Sequence, residues 1–500
     1  MLRIFLPLNG RINLNIFVDN MSFTKYLLTA LLASSFFIAK AQDFTLDLIT
    51  PQYDSGIAYL TYYYGKSMNV VDSTVMSQQG KATFQVKNEP LPGVYSVVLP
   101  GKRNSLDFLL DSARKMAILI ADTSDIIGKS KVTGSKANVL FQEYQRFIAE
   151  KSPLLEKERA DYFDSKTKAD SLKHQENYRK LSVELSDYRE NILKEHPNSM
   201  LAALLKSMKE PEVLYSHPAT HKDSLENYQY YKQHYWDGIS FNDARIIRTP
   251  FFLPKLERYF RQVTNQNPDS LIHEIDYMLL LSRTTPPMYQ FLMNWFTDEY
   301  FNPKYMGQDK VFVHLFEKYH SQGVSTWLND KQHKAIADRA YMVMSNLIGD
   351  PSGPLKMTDV NGKVTDLYNV KAAFTVVCFW DPTCGHCQHE LPILDSIYQK
   401  KWKQEGVKIF AVLTNNDVID QWRKFITDHH LGEWVNVYQT DAQSKAVAAA
   451  KKPSYQQLYD VIQTPTLYLL DNEKRIIAKK LTIEQMNDLI ETKIKNTPTK

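Results

Sequence analysis

"FWDPTCGHCQHELP", Phe379–Pro392, sets two cysteines two residues apart, with His386 between them and His389 beyond. A redox dithiol, a metal site and a haem attachment all use such a cluster. The flanks bear on the choice. "FTVVCFW", Phe374–Trp380, is an unbroken apolar run, as a strand buried on both faces requires. "CGHCQHELPILDSIYQKKWKQEG" reads as a helix that begins at the cysteines. At a helix N-terminus the unpaired N–H groups and the positive end of the dipole favour an anion. Cys384 there becomes a thiolate more readily than a free cysteine, and the thiolate is the nucleophile of disulfide exchange. Cys387 comes onto the adjacent turn, within reach of a mixed disulfide on Cys384. Gly385 permits close approach of a substrate backbone, and His386, when charged, adds a second stabiliser of the thiolate.

Other chemistries fit less well. Cys384, His386, Cys387 and His389 could supply four metal ligands, and a metal-binding protein stays open as an alternative. Zinc sites, however, usually draw ligands from two separated segments, and the chain's three cysteines, Cys378, Cys384 and Cys387, stand close together. Haem attachment needs C-x-x-C-H, and Gln388 holds the histidine place. We expect no metal and no cofactor. A non-catalytic interaction protein carrying a vestigial redox domain is the other alternative, and the intact dithiol argues against it. Cysteines confined to one stretch also exclude a scaffold stapled by disulfides along its length.

Outward from the motif, strand and helix texts alternate. "IGDPSGPLKMTD", Ile348–Asp359, is a Pro/Gly-rich linker, and a hairpin turning at Asn361-Gly362 follows. "VKIFAVLT" is a second buried strand, "NDVIDQWRKFITDH" a helix, "TPTLYLLDNEKRIIAKK" a hairpin turning at Asp471-Asn472, and "TIEQMNDLIETKIK" a closing helix. Residues 349–500 therefore read as an α/β domain around a mixed sheet. Residues 135–348 read as helical: "VLFQEYQRFIAEK" puts Leu140, Tyr144, Phe147 and Ile148 on one face. Residues 42–130 hold short runs rich in Val, Ile, Tyr and Phe, broken by Gly, Pro, Asn and Asp, the pattern of a small all-β sandwich or barrel. The fold class is thus multidomain: all-β, then all-α, then α/β.

At the N-terminus, residues 21–41 carry Lys25, an apolar run from Tyr26 to Ala39 and an Ala39-Lys40-Ala41 cleavage signature, which together predict a signal peptide and a periplasmic protein. An uncleaved N-terminal membrane anchor is the alternative, although the run is shorter than the roughly 20 residues of a span. Residues 1–20 read as an upstream extension. A net charge of +4 over 500 residues, without a long basic run, gives no support for nucleic-acid binding.

The stretch from Phe379 to Pro392 resembles the thioredoxin fold and, within it, the TlpA-like bacterial thiol–disulfide oxidoreductases. The resemblance rests on Phe379-Trp380, Cys384-Gly385-His386-Cys387, Glu390-x-Pro392, the preceding "GDPSGPLKMTDVNGK", and Thr464-Pro465 before the last hairpin. More widely, "YWDGISFNDARIIRTPFF", Tyr235–Phe252, is similar to the helical middle domain of multidomain exported thioredoxin-like proteins of the Bacteroides type, and the β-rich region is similar to the domain of unknown function that precedes it. The resemblance implies Cys384 as attacking and Cys387 as resolving thiol, with Trp380, Gly385, His386, Glu390, Thr464 and Pro465 tuning the thiols or shaping a substrate groove. It implies a cis bond before Pro465 and Glu390 inside the active-site cavity. It implies protein thiols or disulfides as substrates and a membrane-embedded electron donor or acceptor as partner. One departure stands out: Cys378 occupies the place of the buried aspartate of thioredoxin, and we expect it to be a core residue.

Overall fold

A computed structural model of the chain describes residues 43–87 and 90–496. The signal peptide and upstream extension expected over residues 1–41 lie outside these. The described residues form two compact units, one of residues 43–63 and 67–201, the other of residues 64–66 and 202–496. The stretch read from sequence as one helical domain, 135–348, is thus divided after Leu201.

In the first unit, β1 (Phe44–Ile49), β2 (Ile57–Tyr64), β3 (Ser67–Val75), β4 (Lys81–Val86), β5 (Gly93–Val98), β6 (Ser105–Leu110), β7 (Lys115–Ile120) and β8 (Ser130–Thr133) make two four-stranded sheets. Their orders are β4-β1-β7-β8 and β3-β2-β5-β6. Phe44, Leu46 and Leu48 alternate inward from one sheet and meet Leu60, Val97 and Phe108 of the other in one core. This is a sandwich, built by period-two burial. Two long helices, α1 (Lys136–Asp164) and α2 (Lys168–Glu195), follow as a hairpin; Tyr188 of α2 stacks on Phe147 of α1 at 4.1 Å between ring centroids.

The second unit begins with helices: α3 (Met200–Met208), α4 (His221–Gln233), α5 (Phe252–Arg258), α6 (Pro268–Ser282), α7 (Pro286–Phe301), α8 (Asp309–Lys318) and α9 (Asp330–Met344). Leu256, Phe260, Leu271, Ile275, Leu292, Phe296 and Phe312 share their core. Then come β9 (Lys356–Asp359), β10 (Val364–Asp366), β11 (Phe374–Trp380), α10 (Gly385–Ile397), β12 (Val407–Leu413), α11 (Ile419–Asp428), β13 (Val435–Tyr438), α12 (Asp441–Ala449), α13 (Tyr455–Leu458), β14 (Thr466–Leu470), β15 (Ile476–Lys479) and α14 (Ile483–Lys495). The strands form one mixed sheet in the order β10-β9-β13-β12-β11-β14-β15. The central strand β11 pairs parallel with β12 and antiparallel with β14. Its side chains alternate between two cores: Val376, Cys378 and Trp380 face α10 and α14, while Val377 and Phe379 face Tyr459 and Tyr468. Burial on both faces is why this strand carries no polar alternation. Gly362, at φ +81°, turns the β9–β10 hairpin in a conformation that favours glycine.

Within this unit the helices grip the sheet domain through buried polar groups. Lys479 of β15 donates to the Asn346 carbonyl at 2.7 Å and pairs with Asp309 of α8, and Arg339 of α9 pairs with Asp460 at 2.7 Å. Among the described residues no helix is long and apolar enough to cross a membrane.

Candidate functional site

The end of β11 delivers the chain to a tight turn. Asp381 accepts hydrogen bonds from the Thr383 N–H at 2.7 Å and the Thr383 hydroxyl at 2.6 Å, and its carbonyl accepts from the Cys384 N–H at 3.1 Å. Cys384 is the N-cap of α10, with extended backbone angles, so its sulfur stands beside the first free N–H groups of the helix. The Gln388 side chain donates to the Pro382 carbonyl at 2.8 Å and pins the turn to the helix. A Cβ built on Gly385 would meet open space, which leaves room above the motif for another chain.

The two sulfurs differ sharply. Cys384 is half-buried, and its thiol donates to the Thr464 carbonyl at 3.3 Å, a contact that favours the protonated form. Hydrogen bonding with the Thr464 side chain, then the backbone N–H groups of Cys387 and His386, favours the anion and prevails: the Cys384 thiol lies below its ordinary value. Cys387 is fully enclosed, and burial pushes its thiol up to about 12. Cys378 lies in the same core, and burial, reinforced by the charge of Cys387, raises it well above the ordinary value. A thiol held so firmly protonated cannot take the place of a proton-accepting carboxylate.

The cis bond at Thr464-Pro465 brings these residues beside the dithiol. With His386 and Glu390 they line a groove of about 340 Å³, which Leu391, Gln463, Thr466 and residues 480–483 complete. Of the residues singled out from sequence, His386, Glu390, Thr464 and Pro465 therefore share one groove next to Cys384. Trp380 does not join them. It is completely buried and packs at a tilt against Phe425, 5.3 Å between ring centroids, so it supports the strand from within the core instead of lining the groove. The odd positions of β11 face the other way, and the even position 380 must point inward with Cys378. His389 is exposed and does not line the groove, although it lies 3.8 Å from Glu390. Among the described residues no group of three or more His, Cys, Asp or Glu side chains is arranged to hold a metal ion. Gln463, Thr466, Lys480 and Leu481 carry no motif and were not found from sequence; β14 and β15 bring them to the groove.

Residues 347–494 match the Redoxin family, residues 167–346 a domain of unknown function (DUF5106) and residues 45–141 another (DUF4369). The thiol-disulfide oxidoreductase ResA of Bacillus thuringiensis subsp. konkukian is 27% identical over 148 residues, 30% of this chain and 77% of that protein. A domain of a possible thiol-disulfide isomerase from Cytophaga hutchinsonii is 34% identical, covering 30% of this chain and 97% of its own length, with a TM-score of 0.26. A thioredoxin-like protein from Bacteroides caccae is 20% identical, covering 57% of this chain and 98% of its own, with a TM-score of 0.44. The C-terminal domain is a thioredoxin-fold dithiol domain. The C-terminal region is that of a TlpA-like thioredoxin-fold oxidoreductase, and the chain is an enzyme of the thiol–disulfide oxidoreductase class.

Proposed function

We propose that this chain is an exported oxidoreductase that exchanges disulfides with protein clients through Cys384 and Cys387, working in the periplasm against a membrane-embedded electron donor or acceptor. The observation that carries the exchange is the opposite poise of the two sulfurs. One is accessible and favoured as a thiolate; the other is buried and held protonated. The apolar run of residues 26–39 with its cleavage signature supports export, and the thiol–disulfide oxidoreductases among its relatives support protein thiols as substrates.

The exchange runs in two steps. The Cys384 thiolate attacks one sulfur of a client disulfide, a Cys384–client disulfide forms, and the other client sulfur leaves as a thiolate. Cys387 then loses its proton and attacks the Cys384 sulfur. The Cys384–Cys387 disulfide forms, the client's second sulfur leaves, and two electrons have passed to the client. The same steps in reverse oxidise a dithiol client. Glu390 lines the groove with Thr464 and Pro465, and we assign it as the carboxylate that accepts the Cys387 proton. The cis Thr464-Pro465 bond presents the Thr464 backbone to an extended client.

Cys387→Ala tests the reading directly. It should accumulate mixed disulfides with client proteins, because the resolving thiol is gone, while Cys384→Ala should accumulate none. Equal trapping by the two variants would refute the assigned roles.

A further inference from the structure

The groove beside the dithiol does not end at the thioredoxin-fold domain. Gln463, Thr466, Lys480 and Leu481, which form its far wall, also form the near wall of a larger cleft of about 540 Å³. The opposite wall of that cleft is residues 302–307 with Asp309, Arg339 and Val343, all from the helical part. The two hollows therefore adjoin along these four residues. The 302–307 loop is seated on the sheet: the Lys479 N–H donates to the Met306 sulfur at 3.4 Å.

The lining has a definite chemistry. Four cations, Lys304, Arg339, Lys479 and Lys480, face two carboxylates, Asp309 and Asp460. Both carboxylates are already engaged, Asp309 by Lys479 and Asp460 by Arg339 and Lys480. Lys304 is exposed and has no carboxylate partner among the described residues, and Lys480 is still a third exposed. The rim is apolar: Tyr305, Met306 and Ile462 are 56%, 45% and 69% exposed, and Ile462 stands three residues before the cis-proline. Clustered exposed side chains of this kind mark interaction sites, and an unbalanced positive lining selects an anionic partner.

We infer that this cleft is the second half of the client site, and that it takes an extended client segment bearing a carboxylate side chain beside the reacting cysteine. The inference rests on the disulfide-exchange reading above and specifies its substrate class. Lys304 and Lys480 receive the carboxylate, Tyr305, Met306 and Ile462 cover the neighbouring residues, and the helical part becomes a determinant of which clients react.

The test uses the full chain and two synthetic peptides, each carrying one cysteine as a mixed disulfide with glutathione. They differ only in glutamates or lysines flanking that cysteine. The reduced protein releases peptide thiol and glutathione and becomes the Cys384–Cys387 disulfide. The parent should reduce the acidic peptide about tenfold faster, a preference equivalent to ~1.4 kcal/mol, and Lys304→Glu should bring the ratio of the two rates to near one. Lys334→Glu, outside the cleft lining, should keep the parent's ratio. A parent that reduces both peptides at equal rates, or a Lys304→Glu ratio equal to the parent's, would overturn the inference and leave the dithiol chemistry standing. A parent that reduces neither peptide would remove the dithiol reading and this inference with it.

Discussion

Arg339 of α9 donates to the carboxylate of Asp460 at 2.7 Å, joining residues 121 apart in the chain. Asp460 is almost wholly buried, at φ +47°, and opens the loop that leads to Pro465; Lys480, just past the end of β15, closes the cluster. Burial opposes the Asp460 charge, but Arg339 and Lys480 outweigh it and hold the carboxyl below its ordinary value. The helical part thus braces the loop that carries the cis-proline.

Arg339→Ala should destabilise the second unit by about 3 kcal/mol, because it strands a buried carboxylate with one partner. Denaturant unfolding measures this. The folded pKa is depressed, so the contribution is present above the ordinary carboxyl value and is lost as pH falls through the lowered one. The difference between parent and variant should therefore vanish in strong acid. A difference that holds constant down to pH 2 would show that Arg339 acts through packing alone.

Alkylation should discriminate the three cysteines. In native reduced protein Cys384 should react first, and its rate should rise at a lower pH than that of a free thiol, since the thiolate is the reacting form. Cys378 and Cys387 should label only after denaturation, both being fully enclosed. Mass spectrometry of the labelled peptides reads the order, and early labelling of Cys378 would contradict its place in the core.

Two substitutions at position 386 should separate side chain from backbone. His386→Pro removes the N–H that helps hold the Cys384 thiolate, as well as the imidazole; His386→Ala removes only the imidazole. The proline variant should raise the Cys384 pKa and make the potential more negative by about 30 mV, or ~1.4 kcal/mol for this couple. The alanine variant should shift less. A glutathione redox titration measures both, and equal shifts would assign the whole effect to the imidazole.

His320 offers an acid-sensitive point in the helical part. The Thr297 hydroxyl donates to the Met293 carbonyl at 2.7 Å, so it accepts from the His320 Nε2–H at 2.8 Å, and His320 Nδ1 in turn accepts from the Ser325 hydroxyl at 2.7 Å. The ring is therefore neutral and fully used. Burial, then the nearby charge of His333, holds its pKa down to about 4. A lowered histidine contributes stability that is full above about pH 6.5, the unfolded value, and declines as pH falls to about 4. The loss should reach on the order of 3 kcal/mol. Unfolding curves at pH 7 and pH 4.5 measure it, and His320→Gln should flatten that dependence.

Much of the site was legible because its determinants are local. The strand–turn–helix at Phe374–Ile397 follows from an apolar run and the cysteine spacing, all within neighbouring residues. The β hairpins and amphipathic helices likewise follow from periodicity. Trp380 shows where this ends: its neighbours in sequence include the active cysteines, yet the pleat of β11 turns its ring into the core.

By itself the sequence determined the order of all-β, helical and α/β regions, the dithiol, and which cysteine caps the helix, because burial periodicity and capping act over a few residues. Only the tertiary structure decided that the helices after Leu201 join the α/β domain while α1 and α2 go with the sandwich. Only it brought Lys480 and Gln463 to the groove, set Arg339 on Asp460, and placed Lys304 and Tyr305 across a cleft from the cis-proline loop. These are contacts between segments more than a hundred residues apart, or between neighbouring strand ends. Their partners are chosen by how helices pack and how a sheet closes, and no local pattern of charge or hydrophobicity encodes that choice.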